Sequence, residues 1–126
     1  MDDLKPLIHL VDQDPDHLVY LFDFLSMEGF PVAASSSTSD ALKYIERMRP
    51  RIVLCEWEMP GMSGLELIDE VTRISPQLQV ILMAQEGGLI RLDEVHRRGG
   101  VDLLVKPCRP RAVLRAVERI MEGVKR

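Results

Sequence analysis

The sequence predicts an α/β domain, a parallel sheet wrapped in helices. Five short apolar runs, at residues 7–11, 31–34, 52–55, 80–83 and 101–105, alternate with segments of helical periodicity, the pattern of strands joined by crossover helices. The first, third and fourth runs are almost continuously apolar, which suits strands covered on both faces. No repeat, low-complexity tract or long linker interrupts the alternation, so residues 1–126 read as one domain.

After the first run, Asp14 is placed as an N-cap with Pro15 at the first helical position. Leu18, Leu21, Phe22 and Leu25 then share a face until Gly29 ends the helix. After the second run, Ser39 begins a helix with Ala41, Leu42, Ile45 and Met48 inward. After the third, Gly64 leads into one with Leu67, Ile68, Val71 and Ile74 inward. The segment after the fourth run is weaker. Between Gly87-Gly88 and Gly99-Gly100 only Leu89, Leu92 and Val95 recur, at three-residue spacing, and this helix is expected to be the most mobile. The last helix is clear: Val113, Ala116, Val117, Ile120 and Met121 form a stripe, with Arg111, Arg115, Glu118 and Arg119 elsewhere. It is expected to pack beside the first helix.

The net charge of −4 is unevenly spread: residues 1–90 carry 6 Lys and Arg against 15 Asp and Glu, whereas residues 91–126 carry 10 against 5. A basic tail can meet nucleic acid, but the pI near 5.4 and the scarcity of aromatics favour a solvated Arg-rich helix face and no direct nucleic-acid binding. Neither a signal peptide nor a membrane span is expected, and two cysteines in patterned segments, Cys55 and Cys108, suit buried thiols in a reducing cytosol. His9 reads as a core residue with a satisfied ring. His17 and His96 fall on separate helices, and no histidine spacing suggests a metal cluster.

In an open parallel sheet, ligands gather at the carboxyl ends of the strands. The first strand delivers Asp12, Gln13 and Asp14 there, the third Glu56 and Glu58, the fourth Ala84, and the fifth Lys106-Pro107. Acids converging near a lysine make a phosphate and divalent-cation site physically sensible.

Three stretches in this order, Val11-Asp12-Gln13-Asp14-Pro15, Glu56 through Gly64 with Met59-Pro60-Gly61, and Val105-Lys106-Pro107 before the last helix, resemble the response-regulator receiver domain of two-component signalling, over essentially the whole chain. The resemblance implies a flavodoxin-like, doubly wound (βα)5 three-layer sandwich with strand order 2-1-3-4-5. It further implies a cis Lys106-Pro107 bond, two acids after the first strand, an acceptor Asp after the third, a Ser or Thr after the fourth, and a Lys after the fifth. Asp12 and Lys106 match. Gln13, Glu56 and Ala84 depart, and Leu103 stands where an aromatic switch residue is usual.

Each departure has a consequence. Gln13 removes a charge from a site that would hold Mg2+ with Asp12, Glu56 and Glu58, so that any Mg2+ is held weakly at best. Glu56 displaces its carboxylate by one methylene, and misplacement on that scale costs about 10²-fold in rate. Ala84 has no hydroxyl for a phosphoryl oxygen. The expectation is a degenerate pseudo-receiver, an interaction module independent of phosphorylation. Two readings of Glu56 stand: its longer arm pairs permanently with Lys106, mimicking a phosphoryl group, or it is a solvated carboxylate at a loop, where an ion pair is worth only ~0–1 kcal/mol.

The alternatives are a working acceptor that uses Glu56 or a nearby acid, and an enzyme. Asp12-Gln13-Asp14 also resembles the start of a haloacid-dehalogenase-type phosphatase, to which Ser35, Ser36 or Ser37 would lend a hydroxyl. Against this, Asp16 stands where that motif has Thr or Val, and no acidic pair follows the later strands. By the receiver resemblance, a protein partner (output domain, histidine kinase, other signalling protein or second copy) docks on residues 89–98, 101–105 and 109–122. There Arg91, Asp102, Arg115 and Arg119 supply charge. Trp57, beside the acid, is expected to cover the loop rather than gate it.

Overall fold

The computed structural model describes residues 7–125. Five strands, β1 (Ile8–Val11), β2 (Val32–Ser35), β3 (Ile52–Glu56), β4 (Gln79–Gln85) and β5 (Asp102–Lys106), alternate with α1 (Pro15–Met27), α2 (Thr38–Met48), α3 (Gly64–Ile74), α4 (Leu92–Arg98) and α5 (Pro110–Lys125). All strand pairs are parallel and the sheet order is β2-β1-β3-β4-β5, the doubly wound order expected. The winding reverses between β1 and β3, which places a crevice outside the carboxyl ends of those two strands.

Strand alternation divides the core into two apolar layers. Ile8, Leu10, Ile52, Leu54, Ile81 and Met83 face Leu21 and Leu25 of α1 and Val113, Ala116 and Val117 of α5, so the first and last helices share a face. Val11, Val53, Cys55, Val80, Leu82 and Ala84 face Ala41 and Ile45 of α2, Leu67, Ile68 and Val71 of α3, and Val95 of α4. Among the described residues, no helix is long and apolar enough to cross a membrane.

The helix starts follow local chemistry. The Asp14 side chain accepts from the N–H groups of Asp16 and His17 at the head of α1. Ser63 and Glu66 close a capping box at α3. The cap of α2 is Ser37, and the helix starts at Thr38, one residue before the expected Ser39. Thr38 is buried there and donates its hydroxyl to Met62 O at 2.7 Å.

Two expectations fail in physical detail. The fourth helix starts at Leu92, not Leu89. Gly87 turns the chain with φ +80°, Ile90 enters the core, and Leu89 is left 89% exposed, so of the expected stripe only Val95 is buried. His9 is buried and stacked on Tyr44, but its ring is half satisfied: Nε2 meets Ser35 Oγ at 2.8 Å, while Nδ1 has no partner among the described residues.

Candidate functional site

Asp12 follows the end of β1, Glu56 ends β3, and Lys106 ends β5. Glu56 is paired in the sheet against Met83 and is 4% exposed, which places it in the strand, not at a solvated loop. The Lys106 Nζ donates to Glu56 Oε1 at 3.0 Å and to Asp12 Oδ2 at 3.2 Å. The Lys106-Pro107 bond is cis, as the resemblance implies.

Asp12 has further partners. Its Oδ1 accepts the Asp14 N–H at 2.9 Å, and its Oδ2 lies 2.5 Å from His17 Nδ1. Burial pushes the Asp12 carboxyl up, but His17, the Asp14 N–H and Lys106 outweigh it and bring its pKa to about 2. Glu56 moves the other way. Burial raises it, the Lys106 bond opposes this, and the neighbouring Asp12 charge adds to the rise. Its Oε2 is buried with no partner among the described residues. Burial lowers Lys106, yet the two acids win and its pKa is raised. One cation thus serves two carboxylates, and Glu56 is the less satisfied.

The other residues named from the sequence are less convergent. Gln13 is exposed and donates its amide Nε2 to Glu58 O at 2.8 Å, and the Glu58 side chain is exposed. Ala84 is buried in the core and Leu103 is half-buried against the same layer. Trp57 covers the loop as expected: it packs on that layer, and its ring would lie 3.3 Å from a Cβ placed on Gly88. Gln13, Trp57, Glu58, Met59, Pro60 and Ser63 line a shallow groove of about 420 Å³ beside the acids.

The Mg2+ allowed from the sequence, weakly at best, at Asp12, Gln13, Glu56 and Glu58 does not fit this donor set. Lys106 and His17 occupy the Asp12 carboxylate, Gln13 presents a nitrogen to the Glu58 carbonyl, and among the described residues no group of three or more acidic, imidazole or thiol side chains could hold a metal ion. Sequence reasoning missed His17. The signal was available: with Asp14 as the cap and Pro15 at the first position, His17 is the third helical residue. Side chains there lean back toward the helix start, and so toward the end of β1.

Two of the three serines that would serve a phosphatase have other roles: Ser35 bonds His9 and Ser37 caps α2. Both cysteines are buried and free. Burial raises Cys108 to about 11 and lifts Cys55 well above the usual thiol range. On the expected docking face, Arg119 pairs with Asp102 at 3.2 Å and Arg91 with Asp93 at 3.4 Å, while Leu89, Leu92 and Val105 are exposed.

Comparison with known proteins agrees with this architecture. The family described as the response regulator receiver domain matches residues 8–118. Over 120 residues the chain is 33% identical to the transcriptional activator protein ExaE of Pseudomonas putida, covering 92% of this chain and 55% of that one. It is 27% identical to the chemotaxis protein CheY of Thermotoga maritima, covering 88% and 93%. It thus spans nearly all of that relative but little more than half of ExaE, and only 23% of the response regulator protein FleR of Pseudomonas aeruginosa, to which it is 36% identical over 87% of its own length. Among solved structures, the receiver domain of NtrX from Brucella abortus superposes with a TM-score of 0.85 at 28% identity, covering 91% of this chain and 98% of that one. With the match spanning most of its length and the sheet wound in the same order, the chain belongs to the response regulator receiver domain family.

Proposed function

We propose that this receiver domain is an interaction module whose signalling conformation is set without phosphorylation, with Glu56 a built-in acidic group where an acceptor Asp would stand. The observation that carries the reading is the buried contact of Lys106 with both Glu56 and Asp12. The lysine is already engaged by protein carboxylates. Ala84 offers no hydroxyl to draw the end of β4 inward, and Leu103 has no ring to follow it. A group that makes no different contacts in two states shifts no equilibrium between them.

The proposed partner surface is the face of α4, β5 and α5, residues 89–98, 101–105 and 109–122. Its exposed Leu89, Leu92 and Val105 supply apolar contact and Arg115 an open charge. Several relatives are longer proteins named as transcriptional activators or regulators, which supports an output domain, a histidine kinase or another signalling protein as partner, with a second copy as the homotypic case. The proposed setting is the cytoplasm.

One observation favours a second reading. Glu56 Oε2 has no partner among the described residues and could attack a phosphoryl donor, forming a carboxyl O–P bond as the donor's leaving group departs. Exposure to phosphoramidate with Mg2+, followed by intact mass, separates the two. A variant with Glu56→Asp, Gln13→Asp and His17→Ala restores the shorter acid and frees Asp12, and serves as the positive control. No adduct on the wild type beside one on the control is expected; a wild-type adduct that maps to Glu56 overturns the proposal, because the Glu56 carboxylate oxygen would then have replaced ammonia on phosphorus.

A further inference from the structure

Asp12 is held by three internal donors. It is 1% exposed and accepts from Asp14 N at 2.9 Å, His17 Nδ1 at 2.5 Å and Lys106 Nζ at 3.2 Å. A carboxylate has about four lone-pair sites, and three are filled by the protein. An ionised carboxylate has no proton to give, so the His17 nitrogen facing it carries the hydrogen and donates.

We propose that His17 takes the place of a divalent cation at this site, and that removing it opens a latent cation site on Asp12. The inference rests on the reading of the site as one that works without phosphate chemistry, and it names the group that holds a metal out. Mg2+ requires oxygens about 2.0–2.1 Å away in near-octahedral array. An N–H at 2.5 Å on Asp12 Oδ2, with Lys106 on the same oxygen, fills the approach such an ion would use.

The placement of His17 is built into the backbone. The Asp14 cap and Pro15 fix the start of α1, and His17, one turn in, has a side chain only 12% exposed. A surface histidine could swing away at little cost; this one is held between its helix and the end of β1. Gln13 completes the exclusion. Its amide nitrogen is directed to the Glu58 carbonyl at 2.8 Å, which ties up a main-chain oxygen on the β3–α3 loop. His17 acts on metal affinity through Asp12, and is therefore a positioning residue.

Trp57, the one tryptophan of the chain, directly follows Glu56 and reports on the site. Its fluorescence in the full chain at neutral pH is titrated with Mg2+, and with Mn2+ as a paramagnetic quencher, through the millimolar range. The wild type is expected to stay flat, while Gln13→Asp with His17→Ala gives saturable quenching. Gln13→Asp alone is expected to bind more weakly than the double variant, because His17 still occupies Asp12 Oδ2. Far-ultraviolet circular dichroism and thermal unfolding confirm that each variant is folded, and His17→Met, which keeps the volume without a donor, carries the same comparison if His17→Ala is not. Saturable quenching of the wild type overturns the inference, as does equal binding by Gln13→Asp with and without His17, or a folded double variant that stays flat. Because this readout needs no phosphoryl donor, a wild type that binds metal defeats the His17 inference alone, whereas a phosphate adduct on Glu56 defeats the proposed function.

Discussion

The Lys106 ammonium on β5 reaches past β4 to lie 3.0 Å from Glu56 Oε1 at the end of β3, and the same nitrogen lies 3.2 Å from Asp12 Oδ2. All three side chains are less than a tenth exposed. Two carboxylates compete for one cation in a region of low dielectric, and the one with extra donors, Asp12, keeps its charge more readily than Glu56.

Removing the cation should therefore be costly. Lys106→Met leaves two buried acids facing each other without the cation they share and is expected to destabilise the domain by about 3 kcal/mol, the lower end for a broken buried pair. The deficit should be larger at mildly alkaline than at mildly acidic pH, because protonating Glu56 relieves the repulsion. Urea unfolding at the two pH values measures it; a Lys106 variant as stable as the wild type would remove the structural role assigned to the ion pair.

Glu56→Gln should have the opposite sign at neutral pH. The folded-state pKa of Glu56 is raised above its ordinary 4.5, so its contribution to stability is fully present below 4.5 and is lost as pH rises through the folded value. An uncharged Gln keeps an oxygen for Lys106 and escapes that loss. The variant is expected to be more stable than the wild type at neutral pH by about 1 kcal/mol, the net scale of one hydrogen bond, with the gap closing as pH falls to 4.5. A wild type that proves the more stable at neutral pH contradicts this balance.

His9 supplies a separate acid sensitivity. Burial lowers its pKa from 6.5 to about 4, so its contribution is present above pH 6.5 and fades as pH falls toward 4. The span corresponds to about 3 kcal/mol. His9→Phe keeps a ring against Tyr44 and should show a shallower loss of unfolding free energy over that window. Parallel pH profiles for the two proteins would mean that His9 stays accessible to protons in the native state.

Gly64 sets how closely α3 approaches the acid-bearing strand. A Cβ there would lie 2.5 Å from Leu82 Cδ1, 2.6 Å from Glu56 O and 2.9 Å from Trp57 Cα. Two of these are backbone atoms that cannot rotate aside. Gly64→Ala is expected to cost about 2 kcal/mol by overpacking and to shift the Trp57 emission, read by thermal unfolding and fluorescence together. An unchanged spectrum would show that the β3–α3 junction yields without disturbing the site.

The strands were legible because both faces are covered: Ile52, Val53, Leu54 and Cys55 leave little else for a parallel sheet to do with them. The caps at Asp14 and Ser63 were legible in the same local way, although only Asp14 was singled out. The segment before α4 was not, because three-residue spacing around paired glycines does not say whether Leu89 or Ile90 turns inward. Tertiary packing decided for Ile90. In the site, the chain order of Asp12, Glu56 and Lys106 carried the likeness to the family, while the His17 contact joins residues only five apart across a strand–helix junction. No hydrophobic period marks such a contact, and only the direction of side chains in a first helical turn reveals it.

The sequence distances spanned by Lys106 bear on time as well as on equilibrium. Its two contacts close intervals of 94 and 50 residues, so the cluster can assemble only after β1, β3 and β5 have been brought into one sheet. Contacts made only after the folding nucleus has formed govern how quickly the native state comes apart rather than how quickly it is reached. The three charges are therefore expected to act as a latch on unfolding: a weakened latch should shorten the lifetime of the folded chain while leaving the speed of its assembly nearly untouched.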